Sequence, residues 1–261
     1  MNIHLDLFSG IGGFSLAAKW AGFQTIQFVE NDLFCQKVLT KNFPNIPIHD
    51  DIKTFQYNKS VTLLTGGFPC QSFSIAGKQK GINDERYLWS EMFRIIRECK
   101  PTWIIAENVT GIVEMALEEV CSNLENENYE TQTFIIPACA ANAPHRRDRV
   151  WIIAHALCER CGTRFDTFSN IFLQANEKWV METYQKEWLH LQPDTWETFS
   201  AQDRLLFNTR SSRGNDGLSR KLDINRIKSL GNAIVPQVVY PLMKIISRID
   251  LSCSHRDIKL T

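Results

Sequence analysis

The chain has 261 residues, 44% hydrophobic and 22% charged, so it carries enough apolar side chain for a packed core and falls outside the disordered class. Its 29 Lys and Arg balance 29 Asp and Glu, so a surface for a polyanion must come from local clustering of basic residues. No apolar run reaches the length of a bilayer span, MNIHLDLFSG lacks a signal-peptide pattern, and the eight cysteines are scattered. The expectation is a cytoplasmic protein with free thiols and no membrane partner.

In chain order, Ile3–Phe8 reads as a strand, Gly10–Gly13 as a turn and Phe14–Ala21 as a helix. Thr25–Val29 and Val61–Thr65 are further strands, and Ser90–Cys99 is a helix stopped by Pro101. Trp103–Ala106 is a strand, Gly111–Leu124 a helix, Arg149–Ala154 a strand and Val238–Ile249 a helix. This alternation predicts an α/β fold, a mostly parallel sheet with helices on both faces. Ligands on such sheets sit at the carboxyl ends of the strands. After His155 the periodicity weakens. The expected division is a main α/β domain over 1–154, a small irregular lobe over 155–225, and a segment over 226–261 that returns to the first domain.

Asp6-Leu-Phe-Ser-Gly-Ile-Gly-Gly-Phe14 lies between a strand and a helix, where glycine lets the backbone turn tightly and approach a ligand. Glu30 closes the second strand about twenty positions after Gly10, the place from which a carboxylate reaches ribose hydroxyls. The third glycine of the dinucleotide fingerprint is missing, with Ser15 in its place. A nucleoside-type cofactor follows, of undetermined identity. Asp50-Asp51-Ile52 is a further candidate contact.

Gly66-Gly-Phe-Pro-Cys-Gln-Ser-Phe-Ser-Ile-Ala-Gly77 follows a buried strand and sets Cys70 in a loop at the functional edge, a context for an exposed thiolate. Lys78 and Lys80 beyond it form a basic loop able to close over a polyanion. Gly-Phe-Pro-Cys-Gln-Ser-Phe-Ser resembles the catalytic motif of the cytosine-C5 DNA methyltransferases. Asp6–Phe14, Glu107-Asn-Val, His145-Arg-Arg-Asp-Arg-Val150 and Gly231-Asn-Ala-Ile-Val-Pro236 fall in that family's order, with His145 where the common form has Gln.

The resemblance implies a Rossmann-like sheet binding S-adenosyl-L-methionine, with a target-recognition lobe and double-stranded DNA as substrate. It implies cofactor contacts from Phe8, Gly10, Gly12, Gly13, Glu30, Asp51, Ile52, Pro69, Leu88, Asn232 and Ile234. Cys70 is then the nucleophile at cytosine C6, which makes C5 nucleophilic. Glu107, protonated, bonds the N3 edge of the base, a role that needs a raised pKa. Arg149 takes the carbonyl oxygen and Arg147 supports Cys70 or a phosphate. Arg147 and Arg149, two apart, share one face of a strand. The base must be flipped out of the duplex, and methyltransferases are among the known base-flipping enzymes. Gln71 and Ser74 flank the nucleophile and could fill or line the vacated space.

Between Asp203 and Lys228 seven basic residues stand against three acidic ones, and Arg210 and Arg213 in this run are the candidates for DNA contact. His155-x-x-Cys158-x-x-Cys161 is half a zinc pattern without its second Cys pair, so no metal is expected. The leading reading is a monomeric DNA (cytosine-5)-methyltransferase of a restriction–modification system, with a cognate endonuclease, or of a self-protecting mobile genome. The alternatives are a tRNA cytosine methyltransferase and a nucleotide-dependent oxidoreductase.

Overall fold

The computed structural model describes residues 2–69, 88–141, 143, 146–157 and 228–257, with side chains of the last stretch through residue 249. Seven strands form one sheet: β1 (Ile3–Leu7), β2 (Gln24–Val29), β3 (Ile48–His49), β4 (Leu63–Gly66), β5 (Trp103–Val109), β6 (Tyr129–Pro137) and β7 (Asp148–Ala156). Their order is β3-β2-β1-β4-β5-β7-β6. The first five strands in that order pair parallel, and β7 runs antiparallel to both β5 and β6. The order reverses at β1, whose neighbours are β2 and β4, and ligands of such sheets bind at the carboxyl ends of the strands at that switch point.

Adjacent residues on a strand face opposite ways, which divides the apolar residues into two cores. Leu63, Trp103, Ile105, Trp151 and Ile153 pack under α1 (Gly13–Ala21) and the C-terminal helix α6 (Pro236–Asp257). Leu5, Leu7, Leu64, Ile104, Val150 and Ile152 pack under α3 (Trp89–Cys99) and α5 (Leu117–Asn126). The near-continuous burial of β4 and β5 is what a sheet covered on both faces requires. α1 ends where Gly22, at φ +91°, turns its N–H back onto the carbonyls of Ala18 and Lys19. α6 returns along α1, with Tyr240 edge-on to Trp20 and the Ser247 hydroxyl accepting from Asn2 Nδ2 at 3.2 Å.

Several elements depart from the sequence reading. α2 (Leu33–Asn42) and the edge strand β6 were not expected. α2 is started by Asp32, whose carboxylate accepts from the N–H groups of Phe34 and Cys35. The expected helix over 111–124 is two helices, α4 (Ile112–Met115) and α5, broken at Ala116 with φ −152°. β7 extends to Ala156, two residues past the expected domain boundary, and residues 158–227, which carry most of the expected lobe, lie outside the described part.

Leu64 is fully buried in the centre of the sheet, whereas Ile135 on β6 is 59% exposed. Leu64→Ala is expected to cost about 2–5 kcal/mol in urea unfolding. Ile135→Thr should stay within about 0.5 kcal/mol of the parent.

Candidate active site

The loop between β1 and α1 turns on left-handed backbone at Phe8 (φ +52°), Gly10 (φ +54°) and Gly12 (φ +89°). It is tied down by Ser9 N–H to the Val29 carbonyl at 3.1 Å and Gly12 N–H to the Ser9 carbonyl at 2.9 Å. A Cβ on Gly10 would meet nothing within 4 Å, so the backbone is open there to a ligand. A Cβ on Gly12 would strike the Phe43 ring at 2.7 Å, and one on Gly13 would strike Ile234 Cγ1 at 2.7 Å. These two glycines are therefore required for close packing of the loop between α2 and the closing segment.

Glu30 stands at the end of β2 beside this loop. One carboxylate oxygen accepts from Gly10 N–H at 2.7 Å and the other from Asp32 N–H at 2.8 Å. Burial pushes its carboxyl above the usual range against the pull of those two donors. Each oxygen keeps lone-pair capacity for a further donor, such as a hydroxyl.

The segment before α6 crosses to the same loop and is held at several points. Lys228 Nζ meets Asp32 at 2.9 Å, Ser229 Oγ lies 3.5 Å from Cys35 Sγ, and Ile234 rests on Gly13. The Ala233 carbonyl accepts from Arg147 Nη2 at 2.7 Å. Asn232 is exposed, whereas Ile234 is half-buried against the core under α1.

Glu107 and Arg149 meet at the carboxyl end of β5. Val109 pairs with Arg149 across the antiparallel ladder, which makes Glu107 and Arg149 diagonal neighbours. Arg149 Nε lies 2.8 Å from Glu107 Oε1, and Glu107 is buried. Burial raises the Glu107 carboxyl, while the guanidinium groups of Arg149 and Arg147 pull it down, and the balance stays raised. A carboxyl raised in this way takes up a proton more readily than an exposed one, and a fixed cation lies alongside. Arg147 precedes β7 with φ +41°, and its guanidinium is lowered by burial and by Arg149.

The loop leaving β4 comes directly against this pair. A Cβ on Gly67 would stand 3.2 Å from Glu107 Oε2, and Asn108 Nδ2 donates to the Phe68 carbonyl at 3.1 Å. Pro69 is half-buried, and Cys70, the next residue, lies outside the described part. Gln71, Ser74, Lys78, Lys80, His145, Cys158, Cys161, Arg210 and Arg213 also lie outside it. His155 is buried, with its ring 4.3 Å from that of Trp103. Ile52 is buried and Leu88 half-buried, both in the core under α3, whereas Asp51 is exposed and accepts from Lys53 N–H at 2.9 Å.

Sequence reasoning missed the supports of this site. Gly67, Asn108 and the Ala233 carbonyl act through spatial neighbours far along the chain, and a backbone carbonyl leaves no sequence signal. Asp32 was legible in principle as a helix N-cap, but its partner Lys228 was counted with the basic run.

Removing Arg149 would leave Glu107 buried with only the weaker pull of Arg147, so the native pKa of Glu107 would climb further above the unfolded value. The charged carboxylate then costs stability above that native pKa, and the cost fades as pH falls to the unfolded value. Arg149→Met is expected to lose about 3 kcal/mol at about pH 8 and to recover most of it by about pH 4.5. Urea unfolding of variant and parent at both pH values checks this; a loss that does not change with pH contradicts it.

The sequence profile described as C-5 cytosine-specific DNA methylase matches residues 3–158. The chain is 40% identical over 159 residues to the type II methyltransferase M.PspPI of Psychrobacter sp., covering 57% of this chain and 38% of that protein. It is 35% identical over 158 residues to the type II methyltransferase M.HhaI of Haemophilus parahaemolyticus, covering 57% and 47%. The aligned part thus spans less than half the length of either relative. A putative DNA modification methyltransferase encoded within an E. coli prophage superposes with a TM-score of 0.52 at 27% identity, covering 60% of this chain and 47% of that one. The S. pombe Dnmt2 methyltransferase shares the fold at a TM-score of 0.61 and 18% identity, covering 94% and 98%. With the family profile running over more than half of its length, from β1 through β7, the chain belongs to the C-5 cytosine-specific DNA methylases.

Proposed function

We propose that this chain transfers a methyl group from S-adenosylmethionine to C5 of a cytosine in double-stranded DNA. The observation that carries the reading is the buried Glu107–Arg149 pair at the end of β5, with the backbone of Gly67 against it and Cys70 three residues further on. The glycine loop fits a nucleoside: it is open beside Gly10, has the Glu30 carboxylate at its edge, and is backed by Ile234. Phe8, Gly10, Gly12, Gly13, Glu30, Asp51, Ile52, Pro69, Leu88, Asn232 and Ile234 would hold the cofactor. When bound, S-adenosylmethionine supplies an electrophilic methyl group.

The chain's own residues do the rest. Cys70, as thiolate, adds to C6 of the flipped-out cytosine and makes C5 nucleophilic. Glu107, its carboxyl raised by burial, holds a proton at N3, where charge builds as the thiolate adds. Arg149 orients Glu107 and donates to the cytosine carbonyl oxygen. Arg147 braces the closing segment through the Ala233 carbonyl while lying close enough to Glu107 to act on its charge. Once C5 has lost its proton to a base, with water the candidate, the thiolate leaves C6 and the ring is restored.

Residues 1–154 and 226–261 form the catalytic unit in this reading, and 155–225 the recognition lobe. Gln71, Ser74, Lys78, Lys80, Arg210 and Arg213 contact DNA. The relatives named as type II methyltransferases support a modification role. In this reading the chain works as a monomer in the cytoplasm, beside a restriction endonuclease.

Bisulfite sequencing of DNA from cells expressing the chain should show methylated cytosines in one sequence context; unmethylated DNA beside methylated tRNA would move the substrate to RNA. Glu107→Gln is expected to lower kcat for methyl transfer about 100-fold or more while leaving cofactor affinity within about twofold. A Glu107→Gln enzyme of near-parental kcat contradicts the role given to this carboxyl.

A further inference from the structure

Under the cofactor loop lies a buried polar chain that the proposed chemistry does not use. In Ile-His-Leu-Asp-Leu, His4 and Asp6 are two apart on β1, so both point to the face that packs under α1. Register places Thr25 of β2 opposite His4 and Thr65 of β4 opposite Asp6. His4 and Asp6 are both fully buried. His4 Nδ1 lies 2.8 Å from Thr25 Oγ1 and Nε2 lies 2.8 Å from Thr65 Oγ1. Thr65 Oγ1 donates to Asp6 Oδ1 at 2.9 Å, and Ser15 Oγ donates to Asp6 Oδ2 at 2.7 Å.

The order of protons in this chain follows from counting them. With Asp6 ionised, Thr65 donates its one hydroxyl proton to that carboxylate and so accepts from His4 Nε2–H. His4 Nδ1 is then the acceptor of the hydrogen bond that the Thr25 hydroxyl donates. Burial holds the imidazole neutral, with its pKa lowered to about 3, so it serves as a relay of hydrogen bonds and not as a charge. Asp6 is pushed up to about 7 by burial, with Ser15 and Thr65 pulling it down. The groups facing Asp6 are Ser15 from α1, Thr65 from β4, Glu30 from the end of β2 and His4 from its own strand.

Both ends of the cofactor loop hang on Asp6. Ser9 Oγ donates to its backbone carbonyl at 2.7 Å, and Ser15 in the first turn of α1 donates to its carboxylate. Gly12, the residue capping α1, has no side chain to do this. We propose that His4 is a positioning residue for the cofactor loop: through Thr65 it fixes the Asp6 carboxylate, and with it the seating of the Ser9–Ser15 turn. This rests on the loop being the cofactor site, as proposed above.

The test is binding of S-adenosylhomocysteine by calorimetry, with steady-state methyl transfer, for His4→Phe, His4→Gln and Thr25→Val. His4→Phe fills the space but gives Thr65 no donor, and should raise both Kd and the cofactor KM about tenfold with kcat within about twofold. His4→Gln keeps a donor and an acceptor and should recover most of the affinity. Thr25→Val removes only the far link and should show a smaller rise. Folded His4→Phe with parental affinity, equal losses in the Phe and Gln variants, or a loss in kcat alone would overturn the proposal. If His4→Phe does not fold, the Gln and Val variants decide: a rise for Thr25→Val beside near-parental His4→Gln supports it, and unchanged affinity for Thr25→Val overturns it. A parent chain that binds no S-adenosylhomocysteine defeats the cofactor reading itself.

Discussion

The antiparallel pairing of β7 on β5 is the constraint on which the site depends. In a fully parallel sheet, side chains gather at one edge only by following a strand. β7 runs the other way, so the residues at its beginning arrive at the edge where β5 ends. Glu107 leaves one strand and Arg149 opens the other, and they meet at 2.8 Å although 42 positions apart in sequence. The switch point at β1 does the complementary work, and the first residues after β4 come against this pair at Gly67.

Burial then sets the chemistry. A carboxylate taken out of water is costly unless paired, and the pairing at Glu107 only partly offsets that cost, so its carboxyl stays raised. Glu30 shows the same balance with backbone N–H groups in place of a guanidinium. Asp6 shows it with hydroxyls. Three carboxyls along one edge of the sheet are held by three kinds of donor. Glu30 lies against Gly10 of the cofactor loop, and Glu107 against Gly67.

What the sequence made legible follows from how local each signal is. Strand, glycine turn and helix from Ile3 to Ala21 are consecutive, and the structure matches that reading within a residue or so at each boundary. The edge strand β6 was hidden because Tyr-Glu-Thr-Gln-Thr mixes polar residues on both faces and only its later part reads apolar. The direction of β7 could not be read at all, because apolar patterning is the same in either direction. Arg147 and Arg149 were read as sharing a strand face, but Arg147 lies before β7 at φ +41° and reaches the carbonyl of Ala233. That contact, like Lys228 on Asp32, joins segments that only the fold brings together.

In the proposed reaction Cys70 attacks a cytosine held by Glu107 and Arg149. Mass spectrometry of the chain incubated with S-adenosylmethionine and duplex DNA carrying 5-fluorocytosine at the target position tests it most directly, because fluorine at C5 blocks the final elimination. One methylated covalent adduct is expected, on the peptide containing Cys70, and none in Cys70→Ser. An adduct on another residue, or one that survives in Cys70→Ser, contradicts it.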